Sequence, residues 1–195
     1  KIKKIKYLTK NKDEIIFSFS GVRPLEYMKA KTTGQITRDH SIKKDIVGEK
    51  TVLSLVGGKW TSFRAFSEQV TDMALMILNK TRKSTTASLA VRGGKDYPHD
   101  KELFSTKLSQ QTGLAIDYCE LLLTRYGTYA EKIAEYIVKE KGAQLKLLQG
   151  WTDAEIRYLV NLEKPAHLDD LFLRRTTIGW MGLVNSENIS EIANI

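Results

Sequence analysis

The sequence predicts an α+β protein with strands in the first part of the chain and helices alone in the second. Short β-rich segments bounded by glycine occur before residue 80, and from residue 101 onward apolar residues recur every three or four positions. Between them lies a stretch rich in Thr, Ser, Gly and Lys, which is typical of a linker. The 195 residues, 42% of them hydrophobic, suffice for one large domain or two small ones. We therefore predict domains over residues 1–82 and 101–195, joined by a linker over residues 83–100.

Three segments of the first part have strand character. Residues 15–20 are β-rich and end at Gly21, and residues 34–42 alternate between two faces. Residues 51–56 are mostly apolar, which predicts a strand buried on both faces of a sheet. One long amphipathic helix follows, and we expect it to end near Asn79. Its apolar face consists of Phe63, Phe66, Val70, Met73, Ala74 and Ile77.

The apolar spacing in the second part of the chain predicts a small all-α bundle. Gly127 and Gly142 each follow a periodic segment and are expected to end a helix. Thr152 is expected to cap a later helix by accepting a hydrogen bond from the Glu155 amide, with the Glu155 side chain returning the bond. Cys119 lies on an apolar helix face, where core packing is expected. The predicted helices cover residues 103–108, 116–126, 129–137, 152–164, 168–175 and 186–194.

A turn over residues 57–61 joins the apolar strand to the long helix. Gly57 and Gly58 allow a tight turn, and Lys59 follows them directly. The free amides and positive dipole end of the following helix favour a negatively charged ligand edge near Lys59. The glycine spacing differs from that of a phosphate-binding P-loop. A plain packing turn between strand and helix is the alternative interpretation.

Two arginines precede this turn on extended chain. Arg23 stands before Pro24, which disfavours helical backbone at Arg23, and Arg38 lies on the alternating segment. A guanidinium presents paired donors that match a phosphate or carboxylate. Together with Lys59, these arginines predict a site for a phosphorylated small molecule; surface ion pairing is the alternative for each arginine alone. His40 can serve as a general base by type, although packing or orienting a neighbour is the commoner role.

The composition limits the function classes. The formal net charge is +8, which fits a Lys-rich surface, anionic substrates or acidic lipid, whereas the sequence contains no nucleic-acid-binding motif. We therefore expect no nucleic-acid partner. No metal-ligand spacing occurs, so no metal site is predicted. The single cysteine excludes an internal disulfide and suggests a reducing compartment. Arg174 and Arg175 are expected either to satisfy carbonyl groups at a helix end or to pair with Glu163 and with Asp169 or Asp170.

Three motifs carry a family resemblance. They are Ser-Gly-Val-Arg-Pro-Leu at 20–25, Thr-Arg-Asp-His at 37–40 and Gly-Gly-Lys-Trp-Thr-Ser-Phe-Arg at 57–64. In order and spacing they resemble the last part of the FAD-dependent glycerol-3-phosphate dehydrogenases and the similar glycerophosphate oxidases. Arg-Tyr-Gly at 125–127 and Leu-Phe-Leu-Arg-Arg-Thr at 171–176 resemble the helical C-terminal domain of the same enzymes.

The resemblance implies oxidation of sn-glycerol 3-phosphate to dihydroxyacetone phosphate, with hydride transfer to FAD and onward transfer of electrons to quinone or oxygen. It implies that residues 1–82 are the C-terminal part of the FAD and substrate domain. Arg23 and Arg38 would bind the substrate, and Lys59 would act catalytically beside the flavin. The flavin ring would be lined by Gly57, Gly58, Lys59, Trp60 and Thr61.

The chain departs from the family in one respect. It contains no Gly-x-Gly-x-x-Gly fingerprint, so we expect it to correspond to the C-terminal portion of the enzyme and, alone, neither to hold FAD tightly nor to turn over. We expect a cytoplasmic location, with peripheral attachment to the cytoplasmic face of the membrane as a further expectation. In the alternative interpretation, the helical part docks onto a partner protein or an acidic membrane surface.

Overall fold

A computed structural model describes residues 14–21 and 39–195, which divide between two compact units. We call the described part of residues 20–89 the hairpin unit. The described part of residues 1–19, together with residues 90–195, is the helical unit. Strands and helices are both present, which confirms the α+β class. Arg23 and Arg38 lie outside the described residues.

The hairpin unit begins with two antiparallel strands, β1 (Ser41–Val47) and β2 (Lys50–Val56), paired from Ser41 opposite Val56 to Val47 opposite Lys50. Gly48 adopts a φ of +63° in the two-residue turn, as such turns require. The strand predicted at 51–56 exists, but its burial on both faces was wrong. None of its residues is buried, because β1 is its one neighbour in the described chain.

The other two strand predictions met different outcomes. Of residues 34–42, only Ser41 and Ile42 belong to β1, and residues 34–38 lie outside the described chain. The strand predicted at 15–20 was wrong, because these residues form no ladder. Phe17 and Phe19 instead pack on Trp180, with ring centroids 5.4 and 4.7 Å away. Aromatic packing therefore replaces strand pairing for this segment.

Helix α1 (Phe63–Ile77) confirms the long amphipathic helix. Its Glu68 ties the following segment to the helix. One carboxylate oxygen accepts hydrogen bonds from the Thr86 amide at 2.9 Å and the Thr85 hydroxyl at 2.7 Å, and Glu68 also pairs with Arg64 and Arg82. These hydrogen bonds, led by that from Thr86, lower the pKa of Glu68 below its ordinary value.

The helical unit contains the six helices predicted for it, although the one predicted over 168–175 is α-helical only over Leu168–Asp170. The helices are α2 (Lys101–Thr112), α3 (Ile116–Tyr126), α4 (Ala130–Lys139), α5 (Asp153–Glu163), α6 (Leu168–Asp170) and α7 (Ser186–Ala193). A π-helical turn, Leu171–Arg175, continues α6, and short 3-10 turns cover Arg92–Gly94 and Gly127–Tyr129. Glycines at positive φ end α2 and α3, as such residues commonly do.

Two apolar clusters form the core of this unit. The first joins α2, α3 and α4, and Cys119 lies fully buried in it, as predicted. Burial raises the pKa of the Cys119 thiol. The second surrounds Trp151 and joins α5 to the π-helical turn and α7. Truncating one fully buried leucine in such a core costs about 2–5 kcal/mol.

A backbone crossing holds the start of the unit against the end of α3. A Cβ added to Gly93 would overlap the Tyr126 carbonyl oxygen, and one added to Gly127 would overlap the Gly93 carbonyl. Gly127 also has a φ of +60° and a ψ of −145°, a conformation that glycine alone adopts readily. Both positions therefore require glycine.

Candidate functional site

The turn that the sequence singles out lies between β2 and α1. Gly57 and Gly58 have φ values of +76° and +105°. A Cβ on Gly57 would lie 2.6 Å from the Asp39 carbonyl oxygen, whereas one on Gly58 would meet the Phe66 ring at 3.4 Å. Backbone conformation thus accounts for both glycines, and the close approach of the Asp39 carbonyl is a second reason at Gly57.

Lys59 and Trp60 project from this turn. Both are exposed, and Trp60 is 91% exposed. The Lys59 amide donates to the Ser62 hydroxyl at 3.2 Å, and α1 begins only at Phe63. The helix therefore starts three residues later than the glycine pair implied, and Trp60, Thr61 and Ser62 form a turn before it.

His40 packs beside the turn. Its Nε2 lies 2.9 Å from the Gln69 side-chain oxygen, and its ring centroid lies 4.3 Å from that of Phe66. These contacts fit the packing interpretation of this histidine. The positions of Arg23 and Arg38 relative to Lys59 stay a prediction.

A buried carboxylate lies at the centre of the helical unit. Glu155 is fully buried and accepts hydrogen bonds from Tyr118 Oη at 2.7 Å, Tyr126 Oη at 2.6 Å and Arg125 at 3.0 Å. The Thr152 hydroxyl accepts from the Glu155 amide at 3.1 Å, which confirms that half of the predicted capping box. The returning half was wrong, because the Glu155 side chain is engaged by these three partners.

The electrostatics of this cluster follow from burial. Loss of hydration raises the pKa of Glu155, although Arg125 and the two tyrosines oppose the shift. Burial, with the adjacent carboxylate, raises the pKa values of Tyr118 and Tyr126 well above their usual range. A buried charge persists when its hydrogen-bonding capacity is filled, and here three side chains fill it.

Arg125 extends the cluster to the loop before α5. Its guanidinium stacks 3.6 Å from the Trp151 ring centroid and donates to the Gly150 carbonyl at 2.8 Å. This cluster ties α3 to α5, which are separated by 26 residues of chain, counting from Tyr126 to Asp153. Sequence reasoning missed it, although the Arg-Tyr-Gly motif and the Glu at the third position of α5 both signal it.

The arginines after α6 behave as predicted. Arg174 pairs with Asp170 at 2.5 Å and with Asp169 at 3.4 Å, and Arg175 lies 3.5 Å from Glu163. Ligand atoms of His167, Asp169 and Asp170 lie within 4.8 Å of one another. Asp170 is used there as a cap, because it accepts the His167 amide at 3.0 Å. The described helices include none long and apolar enough to cross a bilayer.

Comparison with known families defines the class of this helical unit. The family model described as the C-terminal domain of alpha-glycerophosphate oxidase matches residues 84–195. The chain belongs to this family. Its curated relatives are named glycerol-3-phosphate dehydrogenases, which are oxidoreductases.

Three relatives illustrate the similarity. The probable mitochondrial glycerol-3-phosphate dehydrogenase of Dictyostelium discoideum is 27% identical over 95% of this chain and 30% of its own length. The aerobic glycerol-3-phosphate dehydrogenase of Escherichia coli K12 is 26% identical over 93% of this chain and 36% of its own length. The mitochondrial glycerol-3-phosphate dehydrogenase of Mesocricetus auratus is 27% identical over 89% of this chain and 24% of its own length. The chain thus spans 24–36% of the length of these relatives.

Proposed function

We propose that this chain is part of an FAD-dependent enzyme that oxidises sn-glycerol 3-phosphate to dihydroxyacetone phosphate. One observation carries the proposal. The family model begins at residue 84, yet the dehydrogenase relatives match 89–95% of the chain. The similarity therefore includes hairpin-unit residues, among them a Gly-Gly-Lys turn whose geometry leaves one lysine exposed.

The residues of the turn fit the edge of a flavin ring. Glycine at 57 and 58 keeps side chains away from the backbone there, and Lys59 and Trp60 are exposed rather than packed. Bound FAD would supply the hydride-accepting ring. The Lys59 ammonium, together with the N-terminus of α1, would stabilise the negative charge that develops at the edge of the flavin ring. Gly57, Gly58, Trp60 and Thr61 would line the ring.

The substrate would be held by guanidinium groups. In this proposal Arg23 and Arg38 bind the phosphate or hydroxyl groups of glycerol 3-phosphate, since guanidinium matches phosphate bidentately. Electrons would then pass to quinone or oxygen, and both acceptors stay open. A cytoplasmic location, with attachment to the membrane face, is part of the same proposal.

Substitution of Lys59 in the product of the complete coding sequence tests the proposal. We expect Lys59→Met to lower kcat for glycerol 3-phosphate by about 100-fold, because a preorganised charge at the reacting ring is lost. Arg23→Gln should mainly raise KM. Both variants should retain flavin, measured by absorbance. Lys83→Gln removes an exposed charge elsewhere in the hairpin unit and serves as the control. An unchanged kcat in Lys59→Met would remove Lys59 from the proposal.

A second proposal concerns the helical unit as a docking module for a partner protein or an acidic membrane surface. The formal net charge of +8 lies in residues 1–89, whereas residues 90–195 carry 13 Lys and Arg against 15 Asp and Glu, so attraction of the chain to an anionic surface would act through the residues before residue 90. Sedimentation with vesicles of phosphatidylglycerol at 0.15 M salt tests the membrane form, with phosphatidylcholine vesicles as the control. Equal sedimentation with both lipids, or with neither, would argue against it.

A further inference from the structure

A cavity of about 440 Å³ opens on the helical unit beside both apolar clusters, which contribute Ile133 and Leu159 to its lining. Its walls come from the 3-10 turn at Arg92–Gly94, from the end of α5 and from the π-helical turn. Its charged lining residues are Arg92, Arg125, Glu163 and the Arg174–Arg175 pair, and its phenolic ones are Tyr126, Tyr129 and Tyr158. A volume of this size lies within the range of small-molecule sites, which is about 300–1,000 Å³.

The lining has more positive than negative charge. Four of its residues are arginines and one, Glu163, is a carboxylate. Glu163 is shared, since Arg92 donates to Oε1 at 3.1 Å while Arg175 lies 3.5 Å from Oε2. Two guanidiniums thus divide one negative charge, which leaves a surplus positive charge and unused N–H donors at the same wall.

The other two arginines are neutralised away from the cavity. Arg125 is held by buried Glu155, and Arg174 pairs with Asp169 and Asp170. The surplus is therefore assigned to Arg92 and Arg175. Both are accessible, with side chains 48% and 44% exposed. An exposed guanidinium that shares its carboxylate with another arginine is suited to bind a phosphate, because a phosphate accepts two parallel hydrogen bonds from it.

The tyrosines of the cavity wall also respond to the positive charge of Arg92. The Arg92 guanidinium lies 4.6 Å from the Tyr129 ring centroid, with Lys132 on the same ring at 5.0 Å. Interaction with Arg92, and then with Tyr158, lowers the pKa of Tyr129, so this wall stabilises negative charge. Burial acts oppositely on Tyr158 and raises its pKa to about 12.

An adjoining cavity provides an aromatic surface. It has a volume of about 370 Å³ and shares Arg125, Tyr126, Arg174 and Arg175 with the first. Trp151 and Trp180 form part of its wall, and Trp180 is 49% exposed. An organic group attached to an anion at Arg175 can therefore lie against the exposed Trp180 ring in the adjoining cavity.

We propose that this cavity binds a phosphate monoester or diester, with the phosphate held between Arg92 and Arg175 and the organic part over the aromatic wall. The phosphate would displace Glu163 as the shared acceptor of the two arginines. The ligand can be a free phosphorylated metabolite or a phospholipid headgroup, because both present the same group. The site lies within the helical unit and stands independently of the proposed oxidation of glycerol 3-phosphate.

Calorimetric titration of the 195-residue chain tests this site, with inorganic phosphate and adenosine 5′-monophosphate as free probes. We expect Arg175→Gln to weaken binding about tenfold, as loss of a charged hydrogen bond does. Glu163→Gln should tighten it severalfold, because both guanidiniums lose their competing carboxylate. The two variants shift affinity in opposite directions, so partial unfolding cannot mimic the pattern. Circular dichroism confirms that each variant is folded.

Arg157→Gln is the matched control. Arg157 lies on α5, pairs with Asp153 at 3.0 Å and does not line the cavity, so its loss should change affinity less than twofold. Phosphatidylglycerol vesicles form the second arm of the test. Vesicle binding that Arg175→Gln abolishes, with weak free-probe binding, identifies a headgroup; calorimetric binding without vesicle binding identifies a free phosphate. Absence of both, or equal losses in Arg175→Gln and Arg157→Gln, overturns the proposal.

Discussion

The helical unit and the hairpin unit handle apolar surface differently. Two clusters of buried residues lie in the helical unit, which also encloses a fully buried glutamate with three hydrogen-bonding side chains. In the described part of the hairpin unit, Phe66 is the one buried large side chain, while Trp60, Phe63, Met76 and Leu78 are more than half exposed. The two strands and one helix that the structure describes there bury one large apolar side chain, which is too little for a core of their own. Stability is therefore expected to reside mainly in the helical unit.

Two tryptophans give the strongest test of this difference. Trp151 is 2% exposed in the helical core, and Trp60 is 91% exposed on the turn. We expect Trp151→Ala to lower the free energy of unfolding by about 3–5 kcal/mol. Trp60→Ala should change it by less than about 0.5 kcal/mol. Urea unfolding followed by circular dichroism measures both changes. Similar losses in the two variants would contradict the expectation that stability resides mainly in the helical unit.

The buried glutamate gives the next test. Glu155→Ala would leave the guanidinium of Arg125 without its carboxylate at a site where Arg125 is only 14% exposed. Breaking a buried pair in this way costs about 3–5 kcal/mol, close to the loss expected for the core tryptophan. Glu120, exposed on α3, is the control, and Glu120→Ala should be nearly neutral. A fully stable Glu155→Ala would mean that the cluster is not a structural requirement.

Backbone packing provides a third, smaller effect. Gly127 and Gly113 have φ values of +60° and +75°, but only Gly127 faces another backbone segment; a Cβ on Gly113 would enter open space. Gly113→Ala should cost about 1 kcal/mol from backbone strain. Gly127→Ala should cost about 1–3 kcal/mol more, because the crossing at Gly93 must open. Thermal unfolding midpoints compare the variants, and equal shifts would exclude the crossing as a constraint.

The smallest effect concerns the hairpin unit and depends on pH. Hydrogen bonds led by that from the Thr86 amide hold the pKa of Glu68 below its ordinary 4.5. A carboxylate with a lowered pKa stabilises the folded state above pH 4.5, and this contribution is lost as the pH falls toward the folded pKa.

Urea unfolding at pH 7 and pH 3 measures this dependence. Glu68→Gln should destabilise the protein at pH 7, and the difference from wild type should shrink at pH 3. Glu49→Gln, at the exposed hairpin turn, is the control and should have no effect at either pH. If the stability difference between Glu68→Gln and wild type grew on acidification, the ionised Glu68 carboxylate would not be the form that stabilises the folded state.

Local patterns predicted the helices better than the strands. Apolar spacing and the glycine after α3 place helix ends within a few residues, because those signals act within one turn of helix. Strand burial needs a partner sheet, which lies elsewhere in the chain or outside it. For that reason residues 51–56 formed a strand as expected but were not buried, and residues 15–20 packed as aromatics instead.

The candidate sites divide along the same line. The Gly-Gly-Lys turn was identified from adjacent residues, and its glycines do adopt positive φ values. The Glu155 cluster was missed because its donors come from α3, about 30 positions earlier. The Thr152 cap was predicted correctly because it joins residues three positions apart. The Glu155 side chain instead bonds to residues of α3, which come within reach only when the helices pack.

The amino-acid order by itself determined the ends of most helices to within a few residues, the burial of Cys119 and the pairing of Arg174 with Asp169 and Asp170. These features depend on residues within a few positions of one another, or on one face of a helix. The tertiary structure alone decided which carboxylate is buried and which arginines share Glu163. Such choices join distant segments, and their free energy depends on desolvation and geometry that exist only after the helices have packed.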